Sequence, residues 1–400
     1  MAESGDRSAE IISQSGRFDA AWYRRQRPHL SGDAEAIADY ISRGWREGLS
    51  PSTRFDPVAY RAANPDIGDV DPLLHYAHEG RSQGRRLRPE NADAAVREGI
   101  GLSIILPTRD RGWIIDEAIQ SIFVQTHRTF ELIVIDDGSR DGTAAQLRAR
   151  YAEAITEGRM VLIELAEPMG VCRARNVGLA AARYPWIAYI DSDNVVEPHF
   201  LETFADGILA HPQARCFHAV FYNQGSCHHL GKPFDRSLLR VGNYIDLGVF
   251  VHHRDCVARY GGFDPELRRL VDWDLILTYT RDERSVFLDE QVLLYREICG
   301  EARISRSEPA DVAVAYIRLK HHIRPEEFQG PAAPEVLPEA ALVASPPLPE
   351  PAPGVGSSPE ASDQGKPLAT SLRHIMRWLR RATGSFSVLR NLLSAGGKAP

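Results

Sequence analysis

Two short apolar runs that each stop abruptly in aspartates constrain this chain more than any other feature. The first is Ile133-Val134-Ile135, followed by Asp136-Asp137-Gly138-Ser139. The second is Ile187-Ala188-Tyr189-Ile190, followed by Asp191-Ser192-Asp193. Such a run reads as a buried parallel strand. Its charged end then falls at the carboxyl edge of a sheet, where open α/β sheets bind ligands. Two carboxylates separated by one residue can hold a divalent cation bridged to phosphates. The pair therefore predicts an enzyme that handles a phosphorylated donor.

The chain has 400 residues, enough for two or three folded units. A net charge of -7 lacks the basic excess that a nucleic-acid partner demands, so nucleic acid is not an expected partner. The five cysteines are scattered, odd in number and without a C-x-x-C pair, as expected of free thiols in a reducing compartment. Residues 1–10 are polar and mixed in charge, unlike a signal peptide. No run approaches the roughly 20 apolar residues that span a bilayer. A cytoplasmic protein is expected, at most peripheral on the inner face of the membrane.

Along the chain, residues 1–16 are expected to be disordered. Residues 17–90 hold a duplication: Arg17-Phe18-Asp19 recurs as Arg54-Phe55-Asp56, Tyr23 as Tyr60, Pro28 as Pro65, Tyr40 as Tyr76, Gly44 as Gly80 and Gly48 as Gly84. The offset is 37 residues and then 36, a period typical of stacked helical hairpins. Two copies are few for a free-standing solenoid, so they should dock on the next domain. Residues 101–325 are expected to form one α/β domain. In it, strands near Leu102–Leu106, Glu131–Ile135, Val161–Leu165 and Trp186–Ile190 alternate with helices near Ile114–Val124, Thr143–Tyr151 and Val171–Ala182. That order predicts a mostly parallel sheet flanked by helices. Residues 330–370 hold ten of the 26 prolines and read as a disordered linker. Within residues 371–395, Leu372, Ile375, Met376 and Leu379 share a helical face opposite Arg373, Arg377, Arg380 and Arg381. This basic amphipathic helix is expected either to contact a membrane surface through residues 372–393 or to dock on protein.

The chemistry concentrates at four places. The turns Pro107-Thr108-Arg109-Asp110-Arg111 and Asp136–Ser139, at adjacent strand ends, can wall a nucleotide pocket, with Asp137 placed to hydrogen-bond a ribose hydroxyl or base edge. Asp191 and Asp193, read as part of an extended segment, would point the same way. Their repulsion would be relieved by Mn2+ or Mg2+, which would also neutralise a departing diphosphate. Arg173 and Arg175 open a helix just before that strand, and Arg175 is the stronger candidate for a phosphate. In Val271-Asp272-Trp273-Asp274, Asp272 is the candidate base for an acceptor hydroxyl, while either aspartate could instead N-cap a helix. Cys227-His228-His229 and His252-His253 lack the spacing of a zinc site.

Taken in order, Ile105–Thr108, Ser121–Gln125, Val134–Thr143, Ala174–Gly178, Asp191–Asp193, Gly261–Asp264 and Asp272–Leu275 closely resemble the family 2 inverting glycosyltransferases, over about residues 101–300. The resemblance implies a GT-A fold, a nucleotide-sugar donor biased toward UDP-sugars, and a divalent cation held at Asp193. It also implies donor contacts at Pro107, Thr108, Arg109 and Asp137, a base at Asp272 and an acceptor side shaped by Gly261–Asp264. Arg109-Asp110 stands where many members have Tyr-Asn, and Val271 where many have Glu. The duplicated module looks like those beside transferases of bacterial surface-polysaccharide synthesis, which points to a saccharide or lipid-linked acceptor. A sugar nucleotidyltransferase would need a Gly-rich loop with a lysine after the first strand, and Pro107–Arg111 has neither. A catalytically inert polysaccharide-assembly scaffold is the non-enzymatic alternative.

Overall fold

The computed structural model describes residues 2–90, 94–296, 310–324 and 327. The expected linker 330–370 and basic helix 371–395 lie outside them. Helix Ala310–Lys320 belongs to a separate unit beginning at Pro309, so the α/β unit ends before the expected boundary at 325.

Among the described residues nine strands form one mixed sheet: β1 Leu102–Thr108, β2 Phe130–Asp136, β3 Met160–Glu164, β4 Trp186–Tyr189, β5 Val195–Val196, β6 Cys216–Asn223, β7 His228–Leu230, β8 Phe250–His253 and β9 Val286–Tyr295. Their order is β3-β2-β1-β4-β8-β6-β9-β5, with β7 paired to β6. The first four are mutually parallel, whereas β8 runs against both β4 and β6. Every residue of β1 and β2 is buried because helices cover both faces. Ile104, Leu106, Leu132 and Val134 share a core with Ile115, Ala118, Ile119 and Ile122 of helix Ile115–Phe123. The alternate residues Ile105 and Ile135 face helix Val171–Ala181 at Gly178. A Cβ there would come within 2.6 Å of Ile105 Cγ2 and 2.9 Å of Ile135 Cδ1. Gly178→Ala should therefore destabilise the domain by about 1–3 kcal/mol through overpacking. A lowered urea midpoint at unchanged slope is the expected result, and an unchanged midpoint would mean that this helix does not rest on the sheet so closely.

The duplicated segments fold alike, for reasons legible in matched residues. Asp19 and Asp56 N-cap helices Ala20–Gln26 and Pro57–Ala63 with their carboxylates. Tyr23 lies over Gly44 and Tyr60 over Gly80, where a Cβ would come within 1.9 and 2.3 Å of the tyrosine oxygens. The Tyr23 hydroxyl donates to Asp39 at 2.7 Å, and the Tyr60 hydroxyl meets His75 Nδ1 at 2.8 Å. Helices Asp33–Asp39 and Pro72–His75 each run into a π-helical turn, Tyr40–Gly44 and Tyr76–Gly80. The copies are stitched together where Ser52 Oγ donates to Arg17 O at 2.7 Å and Arg17 donates to Arg54 O at 2.8 Å.

Residues 2–14 form a helix, which corrects the expectation of a disordered arm. Its apolar anchor, Ile12, is fully buried among Tyr23, Ala36, Tyr40 and Tyr76, a burial that a composition count does not register. The repeats and the α/β domain make one compact unit. Gly84, at φ +70°, sits directly on Val124, where a Cβ would come within 2.3 Å of the carbonyl oxygen.

Candidate active site

Parallel register brings the chemistry to one edge. Thr108 pairs with Asp136 and Ile105 with Tyr189, so β1, β2 and β4 end side by side. The β1–β4 ladder stops at Ile105–Tyr189, and Ile190 N donates to Ile105 O at 3.1 Å. Pro107 has no N–H with which to continue the ladder, so β4 leaves the sheet here.

Of the first aspartate pair, Asp136 is structural: its carboxylate accepts from Ser139 N at 3.0 Å and from Ser139 Oγ. Gly138 takes φ +68° and lies against the Glu167–Pro168 backbone, which leaves no room for a side chain. Asp137 is buried. Its two oxygens accept from Met169 N at 2.6 Å and Gly170 N at 2.9 Å, and its own N donates to Thr108 O at 2.8 Å. It thereby locks the two strand-end turns to the loop that opens helix Val171–Ala181. Thr108 Oγ1 is buried without a hydrogen-bond partner among the described residues. Arg109 is half exposed beside Asp110, whose carboxylate accepts from Arg140 N. A cavity of about 530 Å³ opens between Asp136–Arg140 and Glu164–Pro168. None of Asp191, Asp193 or Asp272 lines it; it lies at the ends of β2 and β3.

Asp191 and Asp193 do not sit in an extended segment. Asn194 N bonds back to Asp191 O at 3.1 Å, closing a turn, because the chain must reverse to enter β5 against β9. The two carboxylates consequently meet different arginines. Arg175 donates to Asp191 at 2.6 Å and Arg111 to Asp193 at 2.9 Å. Arg175 is buried and its guanidinium lies 5.3 Å from the Phe263 ring, whereas Arg173 is exposed. The motif Ala174–Gly178 thus divides its labour. Arg175 faces the aspartates, Asn176 exchanges two 2.8 Å hydrogen bonds with the backbone of Phe263, and Gly178 rests on the sheet.

Asp272 lies in the first turn of helix Val271–Tyr279, directly after Leu270, which adopts φ +55°. No side chain caps that helix, so the N-cap role weighed for Asp272 and Asp274 is not used. Asp272 instead accepts from Asn243 Nδ2 at 2.6 Å. Burial raises its carboxyl, against the lowering effects of the Trp273 N–H and Arg175, and Asp191 adds repulsion. A further carboxylate completes the cluster. Asp246 accepts from Gly248 N at 2.7 Å, and burial followed by the charges of Asp191 and Asp272 pushes it up to about 7.

Arg175, Asp191, Asp246 and Asp272 are therefore electrostatic neighbours drawn from four separate segments. Asp193 is joined to the cluster through its turn, and Asp137 is tied to the loop that opens the helix bearing Arg175. Sequence reasoning missed Asn243, Asp246 and Arg296, whose Nε donates to Asp193 O at 2.8 Å. None carries a local motif, and all three lie beyond Trp186–Ile190, the last strand expected from sequence. The histidines once weighed for zinc have ordinary partners: His252 meets the Tyr189 hydroxyl and His229 meets Gln291. Among the described residues no cluster of three or more His, Cys, Asp or Glu could hold a metal by itself.

The fold and this edge define an α/β protein that gathers carboxylates and arginines at the carboxyl ends of its parallel strands. Residues 103–247, within the α/β domain, match the model of the glycosyl transferase family 2. The chain is 29% identical over 192 residues to a putative colanic acid biosynthesis glycosyl transferase, WcaA, of Escherichia coli, covering 44% of this chain and 64% of WcaA. It is 43% identical over 81 residues to the succinoglycan biosynthesis protein ExoO of Rhizobium meliloti, covering 20% of this chain and 22% of ExoO. It thus spans less than two thirds of either relative. A solved structure of S. aureus TarS in complex with UDP-GlcNAc aligns at 19% identity and TM-score 0.47, over 55% of this chain and 65% of that one.

Proposed function

We propose that the protein transfers a sugar from a nucleoside-diphosphate donor, with UDP-sugars favoured, to a saccharide or lipid-linked acceptor in bacterial surface-polysaccharide synthesis. The observation that carries this reading is the convergence of Arg175, Asp191, Asp246 and Asp272 beside the turn that bears Asp193. The relatives WcaA and ExoO, a putative colanic acid biosynthesis transferase and a succinoglycan biosynthesis protein, support the acceptor class.

In this reading Asp137 and Thr108 wall the nucleoside side and Pro107 and Arg109 border it. Asp191 and Asp193 offer hard oxygen donors for Mn2+ or Mg2+. Among the described residues too few protein ligands gather there to hold a cation alone, so a cation would also need oxygens of the donor. A cation held by Asp191 and Asp193 would supply neutralisation of the charge on the departing diphosphate. Arg175 and Arg111, which now balance the two aspartates, are positioned to turn toward phosphate oxygens. Asp272 takes the proton of the acceptor hydroxyl as the new glycosidic bond forms and the bond to the diphosphate breaks, with inversion in a single displacement. No helix among the described residues is long and apolar enough to cross a membrane. A cytoplasmic site of action, with peripheral membrane contact through residues 372–393, completes the proposal.

A thermal-shift panel of nucleotide sugars with manganese or chelator tests it. A ligand that binds only the native state at 100 times its Kd stabilises it by about 2.7 kcal/mol. The expected pattern is a rise in Tm with manganese for one donor, lost with chelator and in Asp193→Ala. No shift with any donor would favour the inert-scaffold alternative.

A further inference from the structure

We infer that the N-terminal repeats position the aspartate turn of the site, with Arg17 and Arg81 as positioning residues that act through Glu197. The inference rests on the proposed reading of Asp191 and Asp193 as ligands of a cation-bound diphosphate.

The turn Asp191–Asn194 runs straight into β5, only two residues long, and then into Glu197. A strand so short, paired with β9 through Val195–Leu294 and Val196–Leu293 alone, cannot hold a loop in place by itself. Glu197 is the anchor. It is fully buried, and the two guanidinium groups that face it both come from the repeats, Arg81 Nε at 3.0 Å and Arg17 Nη2 at 3.6 Å. The Tyr76 hydroxyl, also from the repeats, donates to the same carboxylate, as does Gln291 Nε2 at 2.9 Å.

Arg17 holds the partner strand too. It donates to Gln291 O at 2.9 Å and to Glu290 at 3.1 Å, both in β9. Just past the end of β9, Arg296 donates to Asp193 O, and its N–H reaches Asn194 Oδ1 at 3.4 Å. One buried arginine of the repeats thus ties together both strands that bracket the aspartate turn. Groups that orient a metal ligand from behind commonly change metal affinity about 10–100-fold when removed.

The test uses the full chain with UDP and GDP as probes, titrated by calorimetry with manganese and with chelator, and uridine and guanosine as controls. Arg17→Met and Arg81→Met should weaken manganese-dependent nucleoside-diphosphate binding about 10–100-fold. Binding of the bare nucleoside, which rests on the Asp137 wall, should not change, and Arg17→Lys should recover part of the loss. Should Arg17→Met not fold, Tyr76→Phe keeps both charges, removes one hydrogen bond to Glu197, and should show the same selective loss in smaller measure. Folded variants that bind like wild type, or that lose nucleoside and diphosphate affinity in parallel, overturn the positioning role alone. A wild-type chain that binds neither diphosphate with manganese overturns the transferase reading, and the positioning role with it.

Discussion

Asp272→Asn should leave nucleotide binding intact and lower the rate of sugar transfer by about 10²–10⁴-fold, the usual worth of a positioned general base. The substitution keeps the shape of the side chain and an oxygen for Asn243 to donate to, so the fold should be unaffected. It also removes one negative charge from beside Asp191 and Asp246, so donor affinity should hold or tighten. Steady-state kcat and KM with the donor found in the thermal-shift panel decide the matter. An unchanged kcat would move the base elsewhere, and Asp246 would be the next carboxylate to replace. Burial holds the Asp272 carboxyl above the ordinary aspartate range, so transfer should fail as pH falls through that raised value and the base becomes protonated.

Glu197→Ala should be the most destabilising single change, at about 3–5 kcal/mol, because it strands buried positive charge from Arg17 and Arg81. The same network predicts acid lability. Burial pushes the Glu197 carboxyl up, but Arg81 and Arg17 outweigh it and bring it down to about 2. In the unfolded chain the same carboxyl titrates at its ordinary value, 4.5. A depressed carboxyl contributes stability above the unfolded value and loses it as pH falls toward the folded one. On the order of 3 kcal/mol should therefore disappear between about pH 4.5 and 2, and Glu290, also lowered, should add to the loss. Urea unfolding followed across that window should show a steep fall in wild type and a shallower one in Glu197→Ala. Equal slopes would mean that this carboxylate is not the titrating group.

Much of the α/β half could be read locally. The strands around Ile104, Ile133, Val161 and Ile187 were legible because buried parallel strands are short apolar runs, and their charged ends announced the crevice edge. The repeats were legible because Asp19 and Asp56, Tyr23 and Tyr60, and Gly44 and Gly80 each recur for one packing reason. The extended reading of Asp191–Asp193 failed because pairing of β5 with β9, more than 90 residues away in sequence, turns the chain there. The helix at residues 2–14 was missed because one buried isoleucine, not average polarity, holds it.

From its residue order alone this chain determined its first four strands, the duplication in residues 17–90 and the aspartates at the sheet edge, since periodicity, caps and turn glycines act over a few neighbours. Tertiary structure alone decided which arginine meets which aspartate, that Asn243 and Asp246 join Asp272, and that Arg17 grips Glu197 from 180 residues away. Those pairings follow from where remote elements pack and from the cost of burying a charge without its partner, and neither is written in any local window of sequence.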